Sequence, residues 1–199
     1  MKIFVNMLSL FRIAAALVLV PLLMYRAYGP GFVIFVIGCL TDFLDGFLAR
    51  RYNAVSKLGG VLDHTGDKFI VANALVLAAL LIPSLWVVAP AALMICRELY
   101  VSGLREFLGT QKIEMGVPKR RFAVGKIKTT AQMLALSVLL LWAWVSADWW
   151  ECREYADVLR LVGIVGLWLA LACSLWSAAE YTADFAGNLK KIKRSESGK

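Results

Sequence analysis

Four aspartates lie close together in the sequence, two in each of two neighbouring apolar segments. Asp42 and Asp45 stand near the end of one segment, and Asp63 and Asp67 near the start of the next. A carboxylate at membrane depth costs about 2.5–3.5 kcal/mol on insertion scales, so such residues usually mark a functional site. Four like charges repel one another unless a cation neutralises them, and carboxylate oxygens suit Mg²⁺ or Mn²⁺. The pattern therefore predicts a divalent-metal site.

Helical spacing puts the first pair on one face with small residues and an arginine. Positions three or four residues apart are neighbours on a helix. The stripe defined by this spacing contains Asp42, Asp45, Gly46, Ala49 and Arg50. The small residues would let a ligand approach the backbone closely, and Arg50 would meet a phosphate.

The second pair extends this site onto the following helix. Asp63 and Asp67 are one turn apart, and Gly59 precedes them. Two antiparallel helices with a short connection would bring both carboxylate pairs face to face. The alternative is a set of helix-end carboxylates that pair with nearby cations, namely Arg50, Arg51 and Lys68. Surface pairing does not require glycines on the same face, so we favour the metal site.

The composition indicates that the natural solvent of the chain is lipid. Its 199 residues are 60% apolar and 18% charged, whereas soluble domains are usually about 25% charged. A transmembrane helix needs about 20 mainly apolar residues, and six segments qualify: 10–27, 31–50, 61–83, 86–107, 126–147 and 158–183. The sequence therefore predicts an all-α protein of six transmembrane helices. We expect it to contact the lipid bilayer, and we expect no nucleic acid as a partner.

Basic residues predict the orientation of these helices. They concentrate in the loops and ends on one side of a six-span arrangement, and the tail adds Lys190, Lys191, Lys193 and Arg194. Cytoplasmic loops carry the excess of Lys and Arg, so we expect both termini in the cytoplasm and a multi-pass location in the cell's inner membrane. Residues 1–187 would form one membrane domain, and residues 188–199 a basic cytoplasmic tail.

The four cysteines show no CxxC spacing, and three of them lie within apolar runs. Neither a disulfide framework nor a zinc site is expected from this arrangement. We interpret the cysteines as small apolar side chains of the interior.

The carboxylate segment resembles a known family. From Asp42 to Asp67 the residues spell Asp-x2-Asp-Gly-x2-Ala-Arg-x8-Gly-x3-Asp-x3-Asp, a pattern that resembles the CDP-alcohol phosphotransferase family. The resemblance implies six transmembrane helices, a homodimer and a site at the cytoplasmic face. It also implies transfer of a phosphatidyl group from CDP-diacylglycerol to a small alcohol.

The resemblance further implies a role for each matching residue. Asp42, Asp45 and Asp63 would hold two divalent ions, and Asp67 would complete the cluster and act as the general base. Residues Asn6 to Arg12 resemble an N-terminal segment of the family that touches the nucleotide, with Ser9 in place of threonine. The residues implied to bind CDP-diacylglycerol are Asn6, Ser9, Gly46, Ala49, Arg50, Ser56 and Gly59.

Later segments indicate the acceptor alcohol. Residues 96–106, 125–133 and 175–177, with Tyr181, are similar to the branch of the family that uses glycerol 3-phosphate, the phosphatidylglycerolphosphate synthases. Such an acceptor needs cations for its phosphate. The candidates are Arg97 and Arg105, two turns apart on one helix face, with Lys126 and Lys128 at the start of the next span. The alternatives are a salt bridge from Arg97 to Glu98 or to the carboxylate cluster, and an interface-anchoring role for the two lysines.

One position departs from the family pattern. His64 replaces a proline that the branch usually has between two ligand positions, and we interpret it as a spectator. Within the family, a cardiolipin synthase that uses phosphatidylglycerol is the second hypothesis. Outside enzymes, a membrane cation transporter could also keep carboxylates in the bilayer, although it would more often place them at mid-span.

Overall fold

The computed structural model describes the backbone of residues 2–51, 57–110, 119–149 and 153–197, and the side chains within 7–44, 65–110, 127–149 and 154–189. This part of the chain is helical apart from short turns and contains no strand, which confirms the predicted all-α class. Its helices are α1 (Lys2–Met24), α2 (Tyr28–Arg51), α3 (Lys57–Leu81), α4 (Leu85–Thr110), α5 (Lys119–Asp148) and α6 (Arg153–Ser197).

Several of these helices could cross a membrane. Within the described residues, four apolar stretches are long enough: Met7–Met24, Leu85–Thr110, Ile127–Asp148 and Glu154–Leu189. The apolar stretch of α2, Tyr28–Leu44, is shorter. Large apolar side chains are exposed on each of the helices, as expected for faces that contact lipid rather than water. The chain is therefore built as a multi-pass membrane protein.

The largest extensions beyond the predicted spans are at the start of α1 and at the end of α6. α1 begins at Lys2 rather than near residue 10, and α6 continues to Ser197 rather than ending near residue 183. Hydropathy identifies the part of a helix that contacts lipid, whereas the helix itself continues until a breaker stops it. No proline follows Arg153, so residues 188–197 of the predicted tail continue α6.

A tight turn reverses the chain between α1 and α2. The amide of Ala27 donates to the carbonyl of Leu22 at 2.8 Å, and the amide of Arg26 donates to the carbonyl of Leu23 at 3.2 Å. This pair of bonds is the Schellman motif, which needs a left-handed residue at its centre. Arg26 takes that position with φ 61°, although glycine is the usual residue there.

The helices pack around one apolar core. α1 lies along α3 and α2, while α6 lies along α5 and α4, and both α2 and α3 contact α5. The most deeply buried apolar side chains include Leu19, Phe35, Ile70, Leu136 and Leu167. Each of five helices, α1, α2, α3, α5 and α6, contributes one of them, so the core joins the sequence-distant halves of the chain.

Two glycines allow a close contact between α5 and α6. A Cβ built on Gly163 would lie 2.5 Å from the Cδ2 of Leu139 and 3.4 Å from its backbone nitrogen. One turn on, a Cβ on Gly166 would lie 3.2 Å from the Cβ of Ala135. The two helices can therefore approach this closely only with hydrogen in place of these side chains.

We predict that Gly163→Ala destabilises the protein by about 1–3 kcal/mol, the usual cost of overpacking, since Leu139 is itself buried. Gly187→Ala on the same helix is the matched control, because a Cβ there meets nothing within 4 Å. That control should keep or raise the stability through its better helix propensity. Thermal unfolding in detergent measures both, and equal melting temperatures for the two variants would contradict the close contact.

Candidate active site

Arg12 joins three helices at the carboxylates. Its guanidinium is fully buried, and its Nη1 contacts the Oδ1 of Asp42 at 2.5 Å and the Oδ1 of Asp67. Its Nη2 donates to the Oγ of Ser9, one turn earlier in α1, at 3.4 Å. A buried cation needs counter-charges close by. Carboxylates from α2 and α3 thus converge on a single nitrogen from α1.

Small residues allow this convergence. A Cβ built on Gly66 would lie 3.1 Å from the backbone oxygen of Ser9, so the glycine lets α1 approach α3 beside Asp67. On α2, Gly38 receives the side chain of Ile70 from α3. Gly38 is four residues before Asp42, and Ile70 is three residues after Asp67. The backbones are therefore close one helical turn away from each carboxylate.

The carboxylate pair fits the divalent ions that the family resemblance implies. One oxygen of Asp42 and one of Asp67 contact the same cationic nitrogen of Arg12, so the two carboxylates are close enough to share one positive charge. Carboxylate oxygens are also the ligands that Mg²⁺ and Mn²⁺ prefer. Among the described side chains, no group of three or more His, Cys, Asp or Glu residues could hold a metal ion. Asp45 and Asp63 lie outside the described side chains.

The predicted nucleotide residues are only partly visible. Ser9 is buried beside Arg12 and Gly66. The remaining ones, together with His64, lie outside the described side chains or outside the described backbone: Asn6, Gly46, Ala49, Arg50, Ser56 and Gly59. Their roles stay predictions.

A second charged cluster connects α4, α5 and α6. Glu98 accepts from the Nη1 of its neighbour Arg97 at 3.0 Å and from the Nζ of Lys128 on α5. Arg97 also donates through Nε to the carbonyl of Ser174 at 3.0 Å, and through Nη2 to the Oγ of Ser177 at 2.9 Å. The salt bridge between Arg97 and Glu98 was an alternative reading of the sequence, and it is present.

Arg105 lies two turns beyond Arg97 and is exposed. Its Nη2 donates to the hydroxyl of Tyr181 at 2.5 Å, and its guanidinium carbon stands 4.8 Å from the centre of the same ring. The tyrosine thereby orients the guanidinium by stacking and by hydrogen bonding. Of the predicted acceptor residues, the structure joins Arg97 and Lys128 through Glu98, places Arg105 at Tyr181, and leaves Lys126 outside the described side chains.

Lys68 connects the two clusters. It follows Asp67 in α3, and its ammonium donates to the Oγ of Ser102 on α4. The same hydroxyl donates to the carbonyl of Glu98 at 2.7 Å. The cluster residues lie in the first half of α1, α3 and α5 and between the middle and the end of α2, α4 and α6, so that alternating helices bring them to one common half of the bundle.

Three features of this part of the bundle were not predicted from the sequence. They are Arg12 as the partner of the carboxylates, Glu98 as the centre of the second cluster, and the carbonyl of Ser174 as an acceptor for Arg97. An arginine inside an apolar run was the available signal for Arg12. Ser177 and Tyr181 had been noted only for their resemblance to the family.

Comparison with known proteins gives consistent matches. The profile of the CDP-alcohol phosphatidyltransferase family matches residues 2–176. A CDP-diacylglycerol–glycerol-3-phosphate 3-phosphatidyltransferase of Salmonella choleraesuis is 39% identical over 195 residues, covering 92% of this chain and 95% of the relative. Proteins of the same name are 39% identical in Sodalis glossinidius, over 87% and 90% of the two chains, and 38% identical in Pectobacterium atrosepticum, over 88% and 91%.

We predict that Arg12→Met lowers the free energy of unfolding by about 3 kcal/mol in metal-free protein. This value is the lower end of the usual cost of breaking a buried ion pair. The lower end applies because the side chains of Asp42 and Asp67 are 26% and 29% exposed, so water can partly solvate them. Thermal unfolding with a chelator present measures the loss, and added Mg²⁺ should restore part of it by neutralising the carboxylates. Arg160→Met, which removes an exposed arginine beside Trp142, is the control. Equal stability of the two variants would contradict the counter-ion role.

Proposed function

Because this chain belongs to the CDP-alcohol phosphatidyltransferase family, we propose that it transfers the phosphatidyl group of CDP-diacylglycerol to sn-glycerol 3-phosphate. The products are phosphatidylglycerol phosphate and CMP, and the reaction belongs to phospholipid biosynthesis. Bacterial relatives covered over at least 90% of their length are named for this activity. The observation that carries the proposal is the pair Asp42 and Asp67 on facing helices, next to a cluster of cations.

The reaction forms one phosphorus–oxygen bond and breaks another. A hydroxyl oxygen of the acceptor bonds to the phosphatidyl phosphorus, and the bond from that phosphorus to the CMP oxygen breaks. Asp67 accepts the proton of the hydroxyl. Two divalent ions, Mg²⁺ or Mn²⁺, held by Asp42, Asp45, Asp63 and Asp67, would supply the positive charge that stabilises the diphosphate and the departing CMP.

The donor lipid is proposed to bind along the first three helices. Its contacts would be Asn6, Ser9, Gly46, Ala49, Arg50, Ser56 and Gly59. The position of Ser9 supports this assignment, since it is buried one turn from the arginine that contacts both carboxylates. Arg50 follows Asp42 by two turns of the same helix, where its fork would suit a phosphate.

The phosphate of the acceptor is proposed to bind at the site formed by Arg97, Arg105, Lys126 and Lys128. Arg105 supports this most directly, because it is exposed and held in one orientation by Tyr181. Arg97 is engaged by Glu98, Ser174 and Ser177, so its contribution is to position the cluster and to add positive charge.

We further propose that all six helices cross the inner membrane, with both termini and the site on the cytoplasmic side, and that two copies form a homodimer. Among the described side chains, Arg12, Lys68, Arg97, Arg105 and Lys128 lie in one half of the bundle, which supports the orientation. A basic rim on that side would also attract anionic lipid and phosphorylated substrates.

We expect Asp42→Asn to reduce the transfer rate well over tenfold at saturating Mg²⁺, because the variant loses a proposed metal ligand. Release of CMP from CDP-diacylglycerol measures the rate, and the melting temperature shows that the variant is folded. Asp148→Asn, an exposed carboxylate at the far end of α5, should retain full activity. Wild-type turnover in the folded Asp42 variant would rule out the metal-cluster mechanism.

We expect Arg105→Ala to raise the KM for glycerol 3-phosphate roughly 10- to 150-fold, the equivalent of a charge-assisted hydrogen bond of about 1.5–3 kcal/mol. The KM for CDP-diacylglycerol should change little, since the diphosphate binds elsewhere. Initial rates with each substrate varied in turn give both constants.

Two comparisons control this measurement. Glycerol, which lacks the phosphate, should be a poor acceptor for the wild type and no worse for the Arg105 variant. If phosphatidylglycerol proves the better acceptor, the cations have been misassigned and the protein is a cardiolipin synthase.

A further inference from the structure

Lys68 has no role in the reaction described so far. It is half-buried and directly follows Asp67 in the sequence. Successive side chains of an α-helix are rotated by about 100° around the helix axis, so Lys68 faces α4 and not the direction of Asp67. There its ammonium contacts the hydroxyl of Ser102. A lysine has three N–H donors, and the hydrogen bond described for Lys68 uses one of them with a neutral partner.

On the side of Lys68 that faces α4 and α5, the described side chains hold more positive than negative charge. Arg97, Arg105 and Glu98 are close enough for their charges to act on its ammonium, and Lys128 shares Glu98 with Arg97. Among the side chains described in this cluster, four cations therefore face one carboxylate, a surplus of three positive charges. Such a surplus at membrane depth is costly unless an anion offsets it.

The surplus is not evenly shared. Arg97 and Lys128 both contact the carboxylate of Glu98, and Arg97 has two further acceptors on α6. The hydrogen-bond partners described for Lys68 and Arg105 are the neutral hydroxyls of Ser102 and Tyr181. A phosphomonoester, which carries about −1.5 to −2 charge near neutral pH, would balance these two cations.

We propose that Lys68 binds the phosphate of the acceptor together with Arg105, and that Arg97 positions the cluster instead of binding the ligand. This assignment rests on the proposed function and names a residue that neither the motif nor the family resemblance had given a role. Since Lys68 is the neighbour of Asp67, a small acceptor can present its hydroxyl to the carboxylate while its phosphate meets the ammonium. Lys68 thereby sets which end of the acceptor faces the donor lipid.

The test compares Lys68→Met with Lys68→Arg. The methionine variant should raise the KM for glycerol 3-phosphate about 10- to 150-fold with kcat nearly unchanged, as expected for loss of one charge-assisted hydrogen bond. The arginine variant, which keeps the charge, should remain within about tenfold of the wild type. The KM for CDP-diacylglycerol and the weak activity with glycerol should be unchanged in both. Arg160→Met, which removes a cation at the other end of α6, is the control.

A second measurement uses the unaltered protein and needs no variant to fold. Glycerol 3-phosphate should protect Lys68 from an amine-acylating reagent, as read by mass spectrometry of its peptides, whereas glycerol at the same concentration should not. Absence of protection overturns the assignment even if the methionine variant is unstable. A fall in kcat with unchanged KM also overturns it, since Lys68 would then act on Asp67.

The outcomes separate this assignment from the proposed function. If the wild type uses glycerol 3-phosphate but Lys68→Met leaves its KM unchanged, the role of Lys68 is wrong and the function stands. If the wild type does not use glycerol 3-phosphate at all, the proposed function itself is wrong, and the Lys68 assignment is overturned with it.

Discussion

The contact of Arg12 with Asp42 and Asp67 is the interaction on which the rest of the site depends. A charge taken out of water is tolerated only beside an opposite charge, so the fully buried guanidinium holds both carboxylates close. Since the three residues come from α1, α2 and α3, the pairing fixes the relative position of these helices. It also assembles the two halves of the carboxylate motif, which are 25 positions apart in the sequence.

The second charged cluster, around Glu98, holds more cations than carboxylates. It too depends on pairing buried charges with opposite ones. Glu98 is shared by Arg97 and Lys128, and hydrogen bonds from Arg97 to Ser174 and Ser177 bring α6 to the site. One region therefore attracts cations and the next attracts anions. Lys68 lies at their boundary, so under the proposed function the donor and the phosphate of the acceptor would meet at adjacent residues of one helix.

The fold class and the carboxylate pair could be predicted from the sequence. Helical periodicity, and the energetic cost of placing a charge in a membrane, can both be judged from a short stretch of residues. The all-α class and the family are confirmed, and Asp42 and Asp67 do lie on facing helices. The partners of Arg97 on α6 could not be predicted, since they are 77 and 80 positions away and no local pattern specifies such a contact. Helix α6 continues beyond the predicted span 158–183, because hydropathy falls before the helix ends. The roles of Asp45, Asp63 and Arg50 stay predictions.

Helix α6 gives the protein an uneven profile along the membrane normal. Its 45 residues correspond to about 67 Å at the rise of an α-helix. Even at a tilt of about 40°, the steepest usual for membrane helices, it would extend about 51 Å along the normal, beyond the roughly 40–45 Å of a bilayer with its headgroups. An α6 that crosses the bilayer as one straight helix would therefore extend past the headgroups into water, and a flat surface approaching the membrane there would meet the end of this helix before the lipid.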